Sequence, residues 1–378
     1  MTFCGRKRIT RFNERVMVLR VKKKIKIMKS IITFFIIQFF LNNFSNAYCS
    51  ALDSTSHKLL LQGLHQVHIE QYHQALVTFE DLIKHRPQHP VGYFCEAAVY
   101  KTIMQNYRIT AFEPQLDSLL NLTINVGNQA IQNNKEDALA YFYMGGAYGF
   151  RGLHKVRKRD YWGAFKDGLN GISNLKKAVK IDTSLCDVYY GLGTFHYWRS
   201  AKSKVLRFLL FRKDQQKGID EVWIAIDKGR YTDIEGKYAL VAIYYDYGDY
   251  EKAFSLNQDL YELFPSNPSC LYMRSKLYEQ RGKWGEARQI FHQLLKHLLN
   301  SEYRSIGYEV ECYYSIAHSH YKLGESEQAL KYVKKALDLR NKRDASKELE
   351  GPLEDFDEIV KKAVNLYGAV IKEMVSKE

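Results

Sequence analysis

Seven times along this chain a small residue is followed, three positions later, by Gln, Tyr or His. The small residues are Gly63, Ala97, Gly145, Gly193, Val241, Ser275 and Ala317, and the partners are Gln66, Tyr100, Tyr148, His196, Tyr244, Tyr278 and His320. Successive small residues lie 34, 48, 48, 48, 34 and 42 positions apart. Two helices cross closely only where a side chain is short, and a bulky residue one turn on fills the gap beside the crossing. A recurrence with a basic period of 34 therefore describes stacked helical hairpins, each burying its apolar face only against its neighbours.

The second half of each unit carries the same register. Ala75, Ala253, Ala287 and Ala329 follow their small residues by twelve, and Phe79, Phe291 and Val333 follow three of those alanines by four, on the same helix face. Gly152, Gly248, Gly282 and Gly324 stand seven after the small residue, where the first helix is expected to stop in a left-handed residue. Pro87 and Pro265 end second helices. The strings YDYGDYEKAFSLNQDLYELFP and YEQRGKWGEARQIFHQLL resemble the tetratricopeptide repeat (TPR) consensus. The resemblance runs from about Ser56 to about Asn341, strongest over residues 244–265 and 278–294 and weaker in the 48-residue middle units. It implies an all-α, right-handed superhelical solenoid of about seven hairpins, closed by a C-terminal capping helix.

Apolar spacing and only six prolines predict helix nearly throughout. First helices are expected near 57–69, 91–106, 138–151, 186–200, 234–246, 268–281 and 309–322. Second helices are expected near 73–85, 114–133, 161–181, 214–229, 251–263, 285–299 and 327–339. The repeat domain then covers 48–341, and 342–378 forms a linker and the capping helix. That last helix is read with Pro352 in its first turn and with Glu354, Asp355, Asp357 and Glu358 at its positive end. Its apolar face comprises Ile359, Val360, Ala363, Val364, Leu366, Tyr367, Val370 and Ile371.

Residues 1–47 read as a basic leader and secretory signal. Lys29 precedes an eleven-residue apolar run at 31–41, and Ser45-Asn46-Ala47 places small residues at a cleavage site. Eleven residues span about 16 Å as helix, half a bilayer core. Met28 would serve as a start by itself. Export is the expectation: periplasm or outer envelope in a bacterium, the secretory pathway otherwise. The leader holds 11 of the 56 Lys+Arg and one acid, so the formal +14 falls to +4 beyond it and gives no reason to expect a nucleic-acid partner. Cys49, Cys95, Cys186, Cys270 and Cys312 are odd in number and contain no paired motif, which argues for apolar fillers rather than a disulfide framework.

Two surfaces stand out. The middle units carry Arg151–Asp160 with five bases and one acid, and Arg199–Lys217 with seven bases and one acid. Arg151, Lys155, Arg157, Lys158, Arg159, Lys202, Lys204, Arg207, Arg212 and Lys213 would line one edge of the stack, facing anionic lipid or an acidic partner, or simply solvated. The TPR resemblance further implies that Tyr190, Tyr238, Tyr272 and Tyr314, with Tyr197, Tyr245 and Tyr321, point into the concave channel. There they would form an aromatic groove for a peptide or helix, unless a narrow superhelix packs them on one another. Gly149 occupies the latter position in the third unit.

His65, His68 and His73 with Glu70 do not make a recognisable metal motif, and no phosphate loop, dinucleotide fingerprint or nucleophile motif occurs. Neither catalysis, metal nor cofactor is expected. The reading is a scaffold that binds a protein or peptide through its concave groove, with docking on anionic membrane through the basic edge as the alternative.

Overall fold

The computed structural model describes residues 52–202 and 212–376; side chains are described except at 200–202, 212 and 213. The leader and Cys49 lie outside the described residues. Among the described residues fifteen α-helices follow one another. Seven hairpins pair α1 (Ser54–His68) with α2 (Tyr72–His85), α3 (Val91–Asn106) with α4 (Glu113–Asn133), and α5 (Ala138–Arg157) with α6 (Tyr161–Ile181). They continue with α7 (Val188–Lys202) and α8 (Arg212–Lys228), α9 (Asp233–Tyr247) and α10 (Tyr250–Leu263), α11 (Pro268–Gln280) and α12 (Trp284–Asn300), then α13 (Ile306–Lys322) and α14 (Ser326–Leu339). A final helix, α15 (Phe356–Val375), covers the last hairpin.

The expected register is the packing register. A Cβ on Gly63 would lie 2.4 Å from Phe79, one on Gly145 2.8 Å from Leu175, and one on Gly193 2.8 Å from Val222. Phe79, Leu175 and Val222 thus fill one structural position. The longer chain between glycine and partner in the third and fourth hairpins is the material inserted at their tips. The backbones approach closest at Gly193, where an added Cβ would meet the Gly218 carbonyl oxygen at 2.6 Å and the Val222 nitrogen at 2.9 Å.

First helices form an inner layer and second helices an outer one. α11 buries ten consecutive residues from Pro268 to Leu277, whereas α14 buries only Ala329, Val333 and Ala336 on one face. Carboxylates or amides cap many helix starts: Asp137 Oδ1 accepts from Ala140 N–H at 2.9 Å, Asp160 from Gly163 at 2.8 Å and Asp355 from Glu358 at 2.9 Å. α15 seals the open end of the core with Ile359, Ala363, Leu366 and Val370.

Three expectations need correction. Gly152 does not stop α5, which continues to Arg157 and places Arg159 in the left-handed conformation. The 48-residue unit lengthens the first helix, so the stop moves with the tip. Pro352 precedes the last helix, which begins at Phe356 with Asp355 as its cap. Within that helix Val364 is 47% exposed, because only the stripe spaced three and four apart reaches α13 and α14.

The stack also closes on itself. The turn after α3 reaches across to α13 and to the linker before α15. Thr110 N–H donates to the Lys347 carbonyl at 3.0 Å, Leu349 N–H to that of Arg108 at 2.8 Å, and Ile109 bridges Glu348. Arg108 is 5% exposed and Glu311 1% exposed; the guanidinium donates to the carboxylate at 2.5 Å. It also lies over the rings of Tyr308 at 3.6 Å and Tyr272 at 4.7 Å. Burial opposes the Arg108 charge, but Glu311 and the two phenols outweigh it and hold the group more firmly protonated than usual. A second clasp joins Glu70, Tyr107 and His297: the Tyr107 hydroxyl donates to Glu70 at 2.5 Å, and His297 Nε2 lies 3.1 Å from both. The Glu70 hydrogen bond raises the His297 pKa against a smaller opposing effect of burial.

Two measurements follow. Gly193→Ala meets backbone on both sides and is expected to cost about 1–3 kcal/mol in urea unfolding. Gly149→Ala, whose Cβ meets nothing within 4 Å, is expected instead to stabilise by about 0.5–1 kcal/mol through helix propensity; equal effects would place the register wrongly. Arg108→Ala leaves Glu311 with only the Tyr272 hydroxyl at 2.9 Å and Lys276 at 3.6 Å, with an expected loss of about 2–4 kcal/mol, and a loss under about 1 kcal/mol would show that this pair carries no net stability.

Candidate functional site

The residues expected to form an open aromatic groove are core. Tyr190, Tyr197, Tyr238 and Tyr272 are at most 1% exposed and Tyr314 is 8% exposed; Tyr245 and Tyr321 are half-buried. The cause is the closure. His68 of α1 lies against Phe264 and 3.5 Å from Glu235 of α9; the Ser269 hydroxyl of α11 donates to Asn106 of α3 at 2.5 Å. Arg108 covers Tyr272, whose hydroxyl donates to Glu311 at 2.9 Å. Tyr197 donates to the Ile243 carbonyl at 3.2 Å and Tyr245 accepts from Gln280 at 3.0 Å. The first hairpins and the neighbouring rings thus occupy the surface that a peptide would use.

The basic edge is largely neutralised. Arg151 donates two bonds to Asp167 at 2.8 and 2.7 Å, Lys155 pairs with the same carboxylate at 2.8 Å, and Arg157 pairs with Glu113. Lys158 lies 3.2 Å from Asp117. Those acids come from α4 and α6, one helix away in space, which a charge count along α5 does not see. Arg159 is exposed, with no acidic partner among the described residues. Lys204 and Arg207 lie outside the described residues, as do the side chains of Lys202, Arg212 and Lys213. Among the described residues no helix is long and apolar enough to cross a membrane, and no cluster of potential metal ligands forms.

What the structure brings together is an apolar cleft of about 410 Å³ between the extended third hairpin and the first helix of the fourth. Its walls include Phe150, Leu153 and Val156 of α5, Phe165 of α6, and Phe195 and Trp198 of α7. Glycine makes the room. Gly145 and Gly171 let α5 and α6 meet, a Cβ on Gly171 falling 3.1 Å from the Gly145 oxygen, while Gly149 and Gly168 line the cleft with nothing within 4 Å of the Cβ they lack. Trp198 is 6% exposed, and its buried Nε1–H finds no acceptor among the described residues. Such a group forfeits about 1–3 kcal/mol, so it marks a position where an acceptor is wanted. Arg199 stands at the mouth, half exposed, 3.1 Å from Asp214.

Beside the cleft, Tyr161, Trp162, Phe165 and Leu169 of α6 are all more than half exposed, Trp162 at 77%. Trp162 and Phe165 stack with centroids 5.9 Å apart. The band spans about 12 Å of helix. Its signal was in the sequence: residues 161–169 place apolar side chains one turn apart on a segment inserted beyond the solenoid's own core.

Residues 310–343 match the family model described as tetratricopeptide repeat. Among solved structures, the chain resembles the APC/C hetero-tetramer Cut9–Hcn1 with a TM-score of 0.50 at 13% identity, over 87% of this chain and 55% of that one. It resembles YrrB, described as a TPR protein with an unusual peptide-binding site, with a TM-score of 0.40 at 19% identity, over 57% and 92%. PilW, described as a widely conserved type IV pilus biogenesis factor, gives 0.36 at 12% identity, over 76% and 94%. No curated protein matches. The chain is an all-α helical-repeat protein with a tetratricopeptide repeat at its C-terminal hairpin.

Proposed function

We propose that this chain is an exported, non-catalytic scaffold that holds a partner protein through the aromatic band of its third hairpin. The observation that carries the reading is the exposure of Trp162, Phe165 and Leu169 on a helix whose opposite face is packed. Monomeric surfaces rarely display contiguous large apolar groups without a binding role, and Trp and Tyr are the side chains that dominate interface energy. A stripe one turn apart along a helix is complementary to another helix, packed ridge into groove. Lys166 and Arg159 flank the stripe, both exposed and with no acidic partner among the described residues. The partner element is therefore an amphipathic helix with apolar residues three and four apart and acids beside them. The burial of Tyr190, Tyr197, Tyr238 and Tyr272 against the chain's own residues supports placing the docking surface on this band and not on the concave face.

Export rests on Lys29, the apolar run at 31–41 and Ser45-Asn46-Ala47. N-terminal sequencing of protein made in its own host is expected to begin near Tyr48, in material outside the cytoplasm; an intact leader in the cytosolic fraction refutes this part of the reading.

For the scaffold, a partner captured from envelope extract would be purified and titrated directly. Trp162→Ala combined with Leu169→Ala is expected to weaken it by at least about tenfold, each truncated anchor being worth about 1–2 kcal/mol, with circular dichroism and melting unchanged. Unaltered affinity in the folded double variant removes the band as the docking surface.

A further inference from the structure

We propose that the cleft between α5, α6 and α7 binds a long-chain fatty acid, its hydrocarbon between the two hairpins and its carboxylate at Trp198 and Arg199. This goes beyond the scaffold reading and does not depend on it: of the three residues that carry that reading only Phe165 lines the cleft, and Trp162 and Leu169 do not.

Three observations converge. The first is size and lining: about 410 Å³, walled almost wholly by aliphatic and aromatic side chains, within the range of small-molecule sites. With a methylene taken as roughly water-sized, at ~30 Å³, that volume holds about a dozen to fourteen of them. The second is that the space is not closed by the residues beneath it. Gly149 and Gly168 each face emptiness where any other residue would place a Cβ. In Gly149 the third unit departs from the Tyr197 and Tyr245 that fill the corresponding position in the next two units.

The third is the Trp198 indole N–H, buried and without an acceptor among the described residues. Indole donates only, so what satisfies it must accept. Arg199, next in the chain, adds further donors and a positive charge at the mouth; its partner Asp214 holds it at 3.1 Å and leaves it half exposed. Thr194 and Tyr190 also line the cleft, and the Thr194 hydroxyl already donates to the Tyr190 carbonyl at 2.8 Å. An indole N–H wanting an acceptor, a guanidinium beside it in the chain and a lining that is otherwise mostly hydrocarbon fit an amphiphile with an accepting, anionic head.

The test is calorimetric titration of the purified full chain with hexadecanoate, hexadecanol and octanoate, each below its micelle threshold. Hexadecanoate is expected to bind one to one, and octanoate more than about a hundredfold more weakly, since half the buried methylenes are gone. Gly149→Leu and, separately, Gly168→Leu occupy the cleft and are expected to cost at least about tenfold without lowering the melting temperature; if one misfolds, the other decides. Trp198→Phe should weaken hexadecanoate by about tenfold while changing hexadecanol by less, which separates the hydrogen bond from lost packing. Trp162→Ala should bind as the parent does, even where it loses the protein partner, so either reading can fail alone. Absence of saturable hexadecanoate binding to the parent, or parental binding by a folded Gly149→Leu protein, overturns the proposal.

Discussion

The buried Arg108–Glu311 pair governs the architecture more than any single apolar contact. It joins the second hairpin to the seventh, residues 203 apart in the chain, inside a core that would otherwise expel both charges. A buried ion pair contributes little net stability, because desolvation offsets attraction, yet breaking it leaves a charge uncompensated. Its effect is thus to penalise every arrangement in which the two hairpins are apart. The rings of Tyr272 and Tyr308 over the guanidinium add to that preference. Once the pair forms, the inner helices can no longer line an open channel.

The closure draws on the backbone as well. At the end of their first helices the fifth, sixth and seventh hairpins use Gly248, Gly282 and Gly324 with positive φ, as steric argument expects. The first, second and third use Glu70, Arg108 and Arg159 at the same kind of position, with φ of 62°, 55° and 63°. A side chain there costs about 1 kcal/mol or more relative to glycine. Two of these three residues grip the far hairpins, Glu70 through Tyr107 and His297 and Arg108 through Glu311. The strain sits where a side chain contributes a contact that glycine could not make.

Helix order was legible because it follows from local spacing. Except for α5, which runs six residues past its expected end, the predicted helix ranges lie within a few residues of those observed, since small residues at the crossings, with Phe79, Leu175 and Val222 against Gly63, Gly145 and Gly193, set register and pairing. The candidate surfaces were not legible to the same extent, for one physical reason: each depends on what lies across space rather than along the chain. Tyr272 carries the pattern of a groove residue, but its exposure is decided by Arg108, which reaches it from the turn after α3. Arg151, Lys155 and Arg157 form a basic run only until Glu113 and Asp167 are brought beside them by α4 and α6. Gly149 was visible as a break in a column of larger residues, yet a missing side chain reads as space only when its neighbours are known.

Closure and extension are complementary consequences of one constraint. A solenoid that stays open presents its concave face, and its hairpin tips need only be short. Here the inner tyrosines are taken up by internal contacts, and the most exposed aromatic side chains among the described residues lie outside the repeat's common frame, on the inserted turns of the third hairpin. These turns lengthen α5 past Gly152 and carry Trp162, Phe165 and Leu169 beyond the reach of the neighbouring core. The same insertion opens the cleft, because α7 packs closely on its own partner at Gly193 and Gly218 but leaves the glycine face of Gly149 and Gly168 unfilled. Filling that face with larger side chains would have joined the third and fourth hairpins more tightly, at a gain of about 0.8 kcal/mol for each methylene buried. The chain forgoes this gain in the region where it also exposes its largest aromatics, and the two features together are what the proposed docking on the third hairpin rests on.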